Sequence, residues 1–204
     1  KEVLSLFSII KKSRDTDQVF GFDDTYLDLV RAIELEPTKG RNYEEFSTAR
    51  RTLADMLNGK VVFENGEWYY KQGNVRFAIH SASEGIKKIS ILDRLLGNRY
   101  LSPDSIVFID EPEAALHPEA LSRFMEIIRA LSESGIQFFV ATHSYFVIKK
   151  LFLISKESKR SIPILSLQED GSVVYDDLLS GMPENPIIGE SVRLYEEEVE
   201  LSFT

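Results

Sequence analysis

The sequence predicts an α/β protein with a core of parallel strands and flanking helices, preceded by a lobe of helices and antiparallel strands. Residues 106–109 are four consecutive apolar residues, which is typical of a buried parallel strand. A helical pattern that begins at Pro118 and a second apolar run at residues 136–141 complete a strand-helix-strand crossover. Asn65 and Gly66 separate two short strand-like runs, which indicates an antiparallel hairpin. We therefore expect both kinds of sheet in one chain.

The amino-terminal lobe is expected to comprise residues 1–80, and the α/β core residues 81–204. Apolar residues at three- and four-residue spacing predict three helices in the lobe. They are residues 2–12, a helix capped by Asp23 or Asp24 that ends before Pro37, and a helix capped by Asn42 that ends at Asn58. Strands are predicted at residues 61–63, 68–70 and 74–79.

A helix that carries Ile89 and Leu92 is predicted to begin near Ser83 and Gly85. The glycine in its first turn lowers helix stability by about 1 kcal/mol relative to alanine. A helix amino terminus with serine and glycine offers free backbone N–H groups, a hydroxyl and a positive dipole end to an anion. Spacing alone leaves two interpretations open, an ordinary serine cap and a phosphate site.

Two adjacent carboxylates, Asp110 and Glu111, follow the strand at residues 106–109, and Pro112 prevents the strand from continuing. Open α/β sheets bind their ligands at this carboxyl edge. Neighbouring residues of a strand point to opposite faces, so one acid can serve a metal ion and the other a water molecule. His143 follows the second apolar strand and should lie near Glu111, because parallel neighbours end at the same edge.

The remaining elements are interpreted as a structural frame. A helix is predicted around residues 148–153, and Asp170 and Gly171 separate two strand-like runs as in a hairpin. Residues 190–200 are predicted to form a charged helix. His117 directly precedes Pro118 and could cap the helix that follows while lying near the same sheet edge.

The length and composition of the chain limit these interpretations. A chain of 204 residues with 43% hydrophobic residues can bury one core, or one core and a small subdomain. It has no cysteine, which excludes disulfides and thiolate metal sites, and a net charge of −9 argues against broad electrostatic binding to nucleic acid. No apolar run has the length of a membrane span. We expect a soluble, cytoplasmic protein without a membrane partner.

Three segments together resemble a known family. The run IVFIDEPE resembles a Walker B strand with its catalytic glutamate, ATH resembles the loop of the switch histidine, and SEGIKK resembles a shortened signature motif of ABC-type ATPases. Their order along the chain also matches. DEPEAALHP followed by THS is most similar to the overcoming-lysogeny-defect type and related AAA-type P-loop ATPases of bacterial defence and repair. The resemblance covers residues 60–150.

This resemblance implies a P-loop NTPase-like core and assigns roles to five residues. Asp110 would hold Mg²⁺ through water, Glu111 would polarise the attacking water, and His143 would contact the γ-phosphate of ATP. Ser83 and Gly85 would complete the nucleotide site across an ATP-dependent homodimer. The signature-like helix departs from that of transporters by keeping only the serine and the second glycine, and His117 stands where transporters have an aspartate.

The phosphate-binding loop of such ATPases is absent, because no G-x-x-x-x-G-K-[ST] occurs in the chain. We therefore expect the carboxyl-terminal half of an ATPase, inactive alone, whose amino-terminal lobe lies in the same protein or on another chain. An effector protein or DNA would be its further partner. One alternative is a non-hydrolysing interaction domain that keeps the fold. Another is a metal hydrolase built from Asp110, Glu111, His117 and His143.

Overall fold

The computed structural model describes residues 3–19, 21–37, 46–168 and 170–203. Asn42, the predicted cap of the third helix, lies outside these residues. The chain divides into two compact units, Lys1–Val107 with Ala130–Phe138, and Phe108–Arg129 with Phe139–Thr204. Residue 80 lies inside the first unit, and the lobe boundary placed there stays a prediction.

The chain begins with α-helices, continues with three successive strands, and then mixes helices and strands. The helices are α1 (Phe7–Lys11), α2 (Asp24–Glu34), α3 (Ser47–Leu57), α4 (Glu84–Gly97), α5 (Pro118–Glu133), α6 (Tyr145–Ser158) and α7 (Pro186–Ser202). The strands are β1 (Lys60–Glu64), β2 (Glu67–Gln72), β3 (Val75–Ala78), β4 (Ile106–Asp110), β5 (Gln137–Ala141), β6 (Pro163–Leu167) and β7 (Val173–Asp177). Strands β1, β2 and β3 form an antiparallel sheet, β4 pairs with β5, and β6 pairs with β7 as an antiparallel hairpin. Within the described ranges, none of these helices has the length and apolarity needed to cross a bilayer.

The first unit has an apolar core between its first helices and the antiparallel sheet. Helix α1 starts at Phe7 rather than near residue 2, because residues 3–5 form turns and Leu6 at the N-cap makes no side-chain capping bond. The apolar stripe predicted from this segment is nevertheless buried. The core residues are Val3, Leu4, Phe7, Ile10, Val30, Ile33, Trp68, Tyr70 and Ile79.

Local capping and turn signals of the first unit are confirmed. The side chain of Asp23 accepts a hydrogen bond from the backbone N–H of Thr25 and so caps α2. Asn58 ends α3 in the left-handed conformation, with a φ of 48°. Asn65 and Gly66 have φ values of 55° and 82°, which the tight hairpin between β1 and β2 requires at both positions.

Polar contacts fix α4 against the two helices before it. Arg94 Nε donates to the carbonyl of Ile33 at 2.8 Å, and Asn98 Nδ2 donates to the carbonyl of Ala32 at 2.6 Å. Arg50 Nε pairs with Asp93 Oδ1 at 2.9 Å. This ion pair joins α3 to α4.

Strands β4 and β5 run parallel and are connected by α5. The N–H of Gln137 donates to the carbonyl of Ser105, and the N–H of Glu111 donates to the carbonyl of Ala141, each at 2.9 Å. Both strands therefore advance in the same direction. The predicted apolar face of α5 is buried and comprises Leu121, Phe124, Met125, Ile128 and Leu131.

The prediction that residues 106–109 are buried on both faces is wrong for one face of β4. Ile106 is 57% exposed and Phe108 77% exposed, and Phe139 of β5 is 46% exposed. The rings of Phe108 and Phe139 stack with centroids 5.0 Å apart. Because alternate side chains of a strand point to opposite faces, the described residues leave this face open, and Val107 and Ile109 on the other face are half-buried.

Gly59, between α3 and β1, lies against the backbone of the neighbouring strand. A Cβ added there would lie 2.5 Å from the carbonyl oxygen of Lys71. We expect Gly59→Ala to lower the free energy of unfolding by about 1–3 kcal/mol, the usual cost of overpacking. Gly189→Ala, in the open surroundings of α7, is the matched control and should be neutral or stabilising by up to about 1 kcal/mol. Urea unfolding of both variants checks this; equal effects would contradict the close approach.

Candidate functional site

The carboxyl end of β4 presents the two acids that the sequence singled out. Asp110 is the last residue of the strand and is exposed, and Glu111 follows it. The N–H of Glu111 is held by the carbonyl of Ala141, so the backbone at this position is fixed to the end of β5. Glu111 has a φ of 44°, in the left-handed region that residues other than glycine seldom adopt. Such backbone strain occurs most often at functional sites.

His143 lies beside Glu111, as the parallel crossover predicted. It occupies the loop between β5 and α6, and its Nδ1 is 3.4 Å from Glu111 Oε1. The distance is longer than a good hydrogen bond and within the range of an ion pair. The His143 side chain is 73% exposed and that of Glu111 43% exposed, so both can reach a ligand.

Glu113 is a third carboxylate of this cluster, and the sequence analysis did not select it. The Oγ1 of Thr142 donates to it and lies 2.9 Å from each carboxylate oxygen, and the N–H of His143 donates to its Oε1 at 3.2 Å. Its side chain is only 14% exposed. The available signal was a second glutamate in DEPE and a threonine directly before His143, but residue spacing alone does not reveal such a contact.

His117 contacts the first turn of α5. Its Nδ1 accepts a long hydrogen bond, 3.4 Å, from the N–H of Glu119 in the first turn of α5. Among the residues that the structure describes, no group of three or more histidine, cysteine or acidic side chains could hold a metal ion. The alternative of a metal hydrolase built on Asp110, Glu111, His117 and His143 gains no support from this arrangement and stays a hypothesis.

Ser83 and Gly85 lie at the amino terminus of α4, in the first unit. Ser83 is the N-cap residue, and its Oγ accepts a hydrogen bond of 3.3 Å from the N–H of Ile86. Gly85 is buried in the first turn. Glu84 pairs with Lys87 Nζ at 2.7 Å, which offsets its negative charge at the helix end. The cap predicted at Ser83 is confirmed, and a role in nucleotide binding stays a prediction.

The residues after β4 and β5 and the residues at the amino terminus of α4 can take part in different chemistry. A carboxylate such as Glu111 can orient a water molecule and accept its proton, and an exposed imidazole can contact a phosphate oxygen. A single exposed carboxylate such as Asp110 suits Mg²⁺, which keeps several waters and takes its other ligands from substrate phosphates. The amino terminus of α4 offers its N–H groups to an anion. Asp110, Glu111 and His143 therefore fit Mg²⁺ and a phosphorylated ligand, and the amino terminus of α4, taken by itself, fits an anion.

Comparison with known proteins agrees with this chemistry. Residues 4–149 match a family model described as "AAA domain, putative AbiEii toxin, Type IV TA system". A segment of 41 residues, 20% of the chain, is 49% identical to the Old nuclease of Escherichia phage P2. A segment of 76 residues, 37% of the chain, is 33% identical to the arginine transport ATP-binding protein ArtP of Haemophilus influenzae. The matches span 7% and 29% of the lengths of these two relatives.

A solved structure supports the fold. The structure of an SmcHead bound to the C-winged helix domain of ScpA superposes with a TM-score of 0.50 and 19% sequence identity. The match covers 74% of this chain and 54% of that one. At this identity the likeness concerns the fold, an α/β architecture with parallel strands and flanking helices.

Proposed function

The chain belongs to the AAA-domain family whose model matches residues 4–149, and we propose that it forms the carboxyl-terminal part of an enzyme that hydrolyses ATP at a homodimer interface. The segments similar to the Old nuclease and to ArtP favour a P-loop ATPase. The cellular setting that we propose is bacterial defence or DNA repair. The energy of ATP hydrolysis would drive an attached effector protein or would be used on bound DNA.

The observation that carries this proposal is the contact of 3.4 Å between Glu111 and His143 at the ends of parallel strands. Glu111 would orient the attacking water and accept its proton. His143 would contact the γ-phosphate through its other ring nitrogen. Asp110 would hold Mg²⁺ through water, and the ion would neutralise charge on the phosphates. The left-handed backbone of Glu111 supports a functional assignment for this position.

We propose that this ATP site is composite, which means that two parts of the protein outside and inside these 204 residues, and two subunits, form it together. The sequence contains no G-x-x-x-x-G-K-[ST], the motif whose backbone cradles the α- and β-phosphates in P-loop ATPases. We propose that a lobe outside them, in the same protein or on another chain, supplies this loop, and that Ser83 and Gly85 of one subunit face the nucleotide held by the other. The open face of β4 and β5 supports a missing lobe, because parallel sheets are normally covered on both faces.

Because the site is proposed to be composite, we expect the 204 residues alone to bind MgATP too weakly for titration calorimetry to detect. The physical reason is that the backbone cradle and the lysine that contact the phosphates are absent. The native protein that carries these residues is the positive control, and it should bind MgATP and release phosphate. Tight Mg²⁺-dependent binding by the 204 residues would contradict the composite site and reveal an unrecognised phosphate loop.

A non-hydrolysing interaction domain is the second candidate, and the open apolar face at Phe108 and Phe139 is the observation that favours it. Phosphate release separates the two functions. A native protein that binds its partner but releases no phosphate from ATP supports the interaction domain.

A further inference from the structure

Glu113 connects the loop after β4 to the loop after β5. Its carboxylate accepts hydrogen bonds from the Thr142 hydroxyl and from the N–H of His143. Thr142 Oγ1 in turn accepts from the N–H of Ser144 at 3.0 Å, and Ser144 is the N-cap residue of α6. Three consecutive residues of the loop, Thr142 to Ser144, therefore depend directly or indirectly on one carboxylate.

The contacts require an acceptor for two donors, a need that a carboxylate meets best. The Thr142 hydroxyl accepts from Ser144, so its own proton must go to an acceptor, and the N–H of His143 needs a second one. An ionised carboxylate offers two acceptor oxygens and no donor, whereas an amide offers one oxygen and an NH₂ group that cannot accept. Glu113 satisfies both donors at once and is mostly shielded from water, with a side chain 14% exposed.

Glu113 also lies beside the His143 ring. Its Oε1 lies 3.6 Å from His143 Nδ1, and Glu111 Oε1 lies 3.4 Å from the same nitrogen. Both carboxylates lie on the Nδ1 side of the ring, which leaves Nε2 for a ligand. The backbone bond and the ring contact thus act on the same residue.

We propose that Glu113 is a positioning residue for hydrolysis, which acts by fixing the backbone and ring of His143 beside Glu111. This inference rests on the proposed ATPase function. Misplacement of a catalytic group by about 1 Å can reduce a rate by about 100-fold, so loss of the anchor should lower kcat more than it changes KM.

The test measures steady-state phosphate release by the native protein with Glu113→Ala and Glu113→Gln. We expect Glu113→Ala to reduce kcat by about 10- to 100-fold with KM within about twofold. Glu113→Gln should recover part of the loss, because it keeps one acceptor oxygen. Glu119→Gln, which removes an exposed carboxylate that pairs with Arg123 on α5, is the matched control and should retain wild-type kcat.

A double-mutant cycle separates positioning from general stability. In a His143→Ala background, Glu113→Ala should cause little further loss of kcat, because the residue that it positions is gone. An equal loss in both backgrounds would overturn the inference while leaving the ATPase function intact. A wild-type protein without phosphate release would instead overturn the proposed function and this inference with it.

A measurement without nucleotide keeps the inference testable if Glu113→Ala folds poorly. In the native protein without nucleotide, the amide of His143 should exchange its hydrogen faster in Glu113→Gln, where one oxygen must serve both donors, and in Thr142→Val, where the carboxylate loses its contact with the hydroxyl, than in Glu119→Gln. Unchanged exchange of this amide in both variants would show that Glu113 does not hold the loop, and would overturn the inference.

Discussion

Replacing Glu111 by glutamine in the native protein should reduce ATP turnover by about 10²- to 10⁴-fold while nucleotide binding is retained. The amide keeps the size of the side chain and can still form hydrogen bonds, but it cannot accept a proton from the attacking water. ATP would then persist in the closed dimer. Because a bound ligand stabilises the state that binds it, the variant should dimerise in ATP more stably than the wild type.

Phosphate release and size-exclusion chromatography with ATP measure these two effects. Asp110→Asn is the informative comparison, because loss of the Mg²⁺ ligand should weaken nucleotide binding and Mg²⁺ dependence together. Glu119→Gln again serves as the control, because it removes an exposed carboxylate from the surface of α5. If Glu111→Gln hydrolyses ATP at the wild-type rate, then Glu111 is not the catalytic carboxylate.

Ser83→Arg should abolish hydrolysis when both subunits carry it, because the long cation would occupy the space of the phosphates at the amino terminus of α4. Mixed with a protein that lacks the lysine of its phosphate-binding loop, it should regain about a quarter of wild-type activity, since half of the random dimers contain one intact site. This recovery is expected only if α4 acts on nucleotide held by the other subunit.

The control for this experiment follows from the capping bond of Ser83. Ser83→Ala removes the acceptor of the Ile86 N–H and should cost about 0.5–2 kcal/mol of stability, but it adds no bulk at the site. Comparing the two variants separates loss of the cap from obstruction of the site. If mixed dimers form and remain inactive while each wild-type control works, the proposed trans role of α4 is wrong.

Much of the fold was predictable because its signals are local. A cap at Asp23, a turn at Asn65 and Gly66, and the apolar face of α5 each depend on residues within a few positions of one another. The proximity of Glu111 and His143 was predictable for a different reason. Parallel strands joined by one crossover helix bring their carboxyl ends to the same edge.

Two features could not be predicted from spacing. The four apolar residues of β4 resemble a strand covered on both sides, and only the structure shows that one side is open among the described residues. The role of Glu113 depends on a contact with Thr142, 29 residues later in the chain. A glutamate in a turn has no periodicity that would distinguish an anchor from a solvated side chain.

The left-handed backbone of Glu111 has a consequence for the evolution and engineering of this protein. A residue other than glycine in that conformation costs about 1–3 kcal/mol, which is a sizeable part of the stability of a typical domain. Selection for thermostability alone would therefore favour glycine or asparagine at position 111, and neither supplies a carboxylate. The role proposed for Glu111 places stability and activity in conflict at this residue, so a glutamate that persists there in thermostable variants would indicate selection for its chemistry.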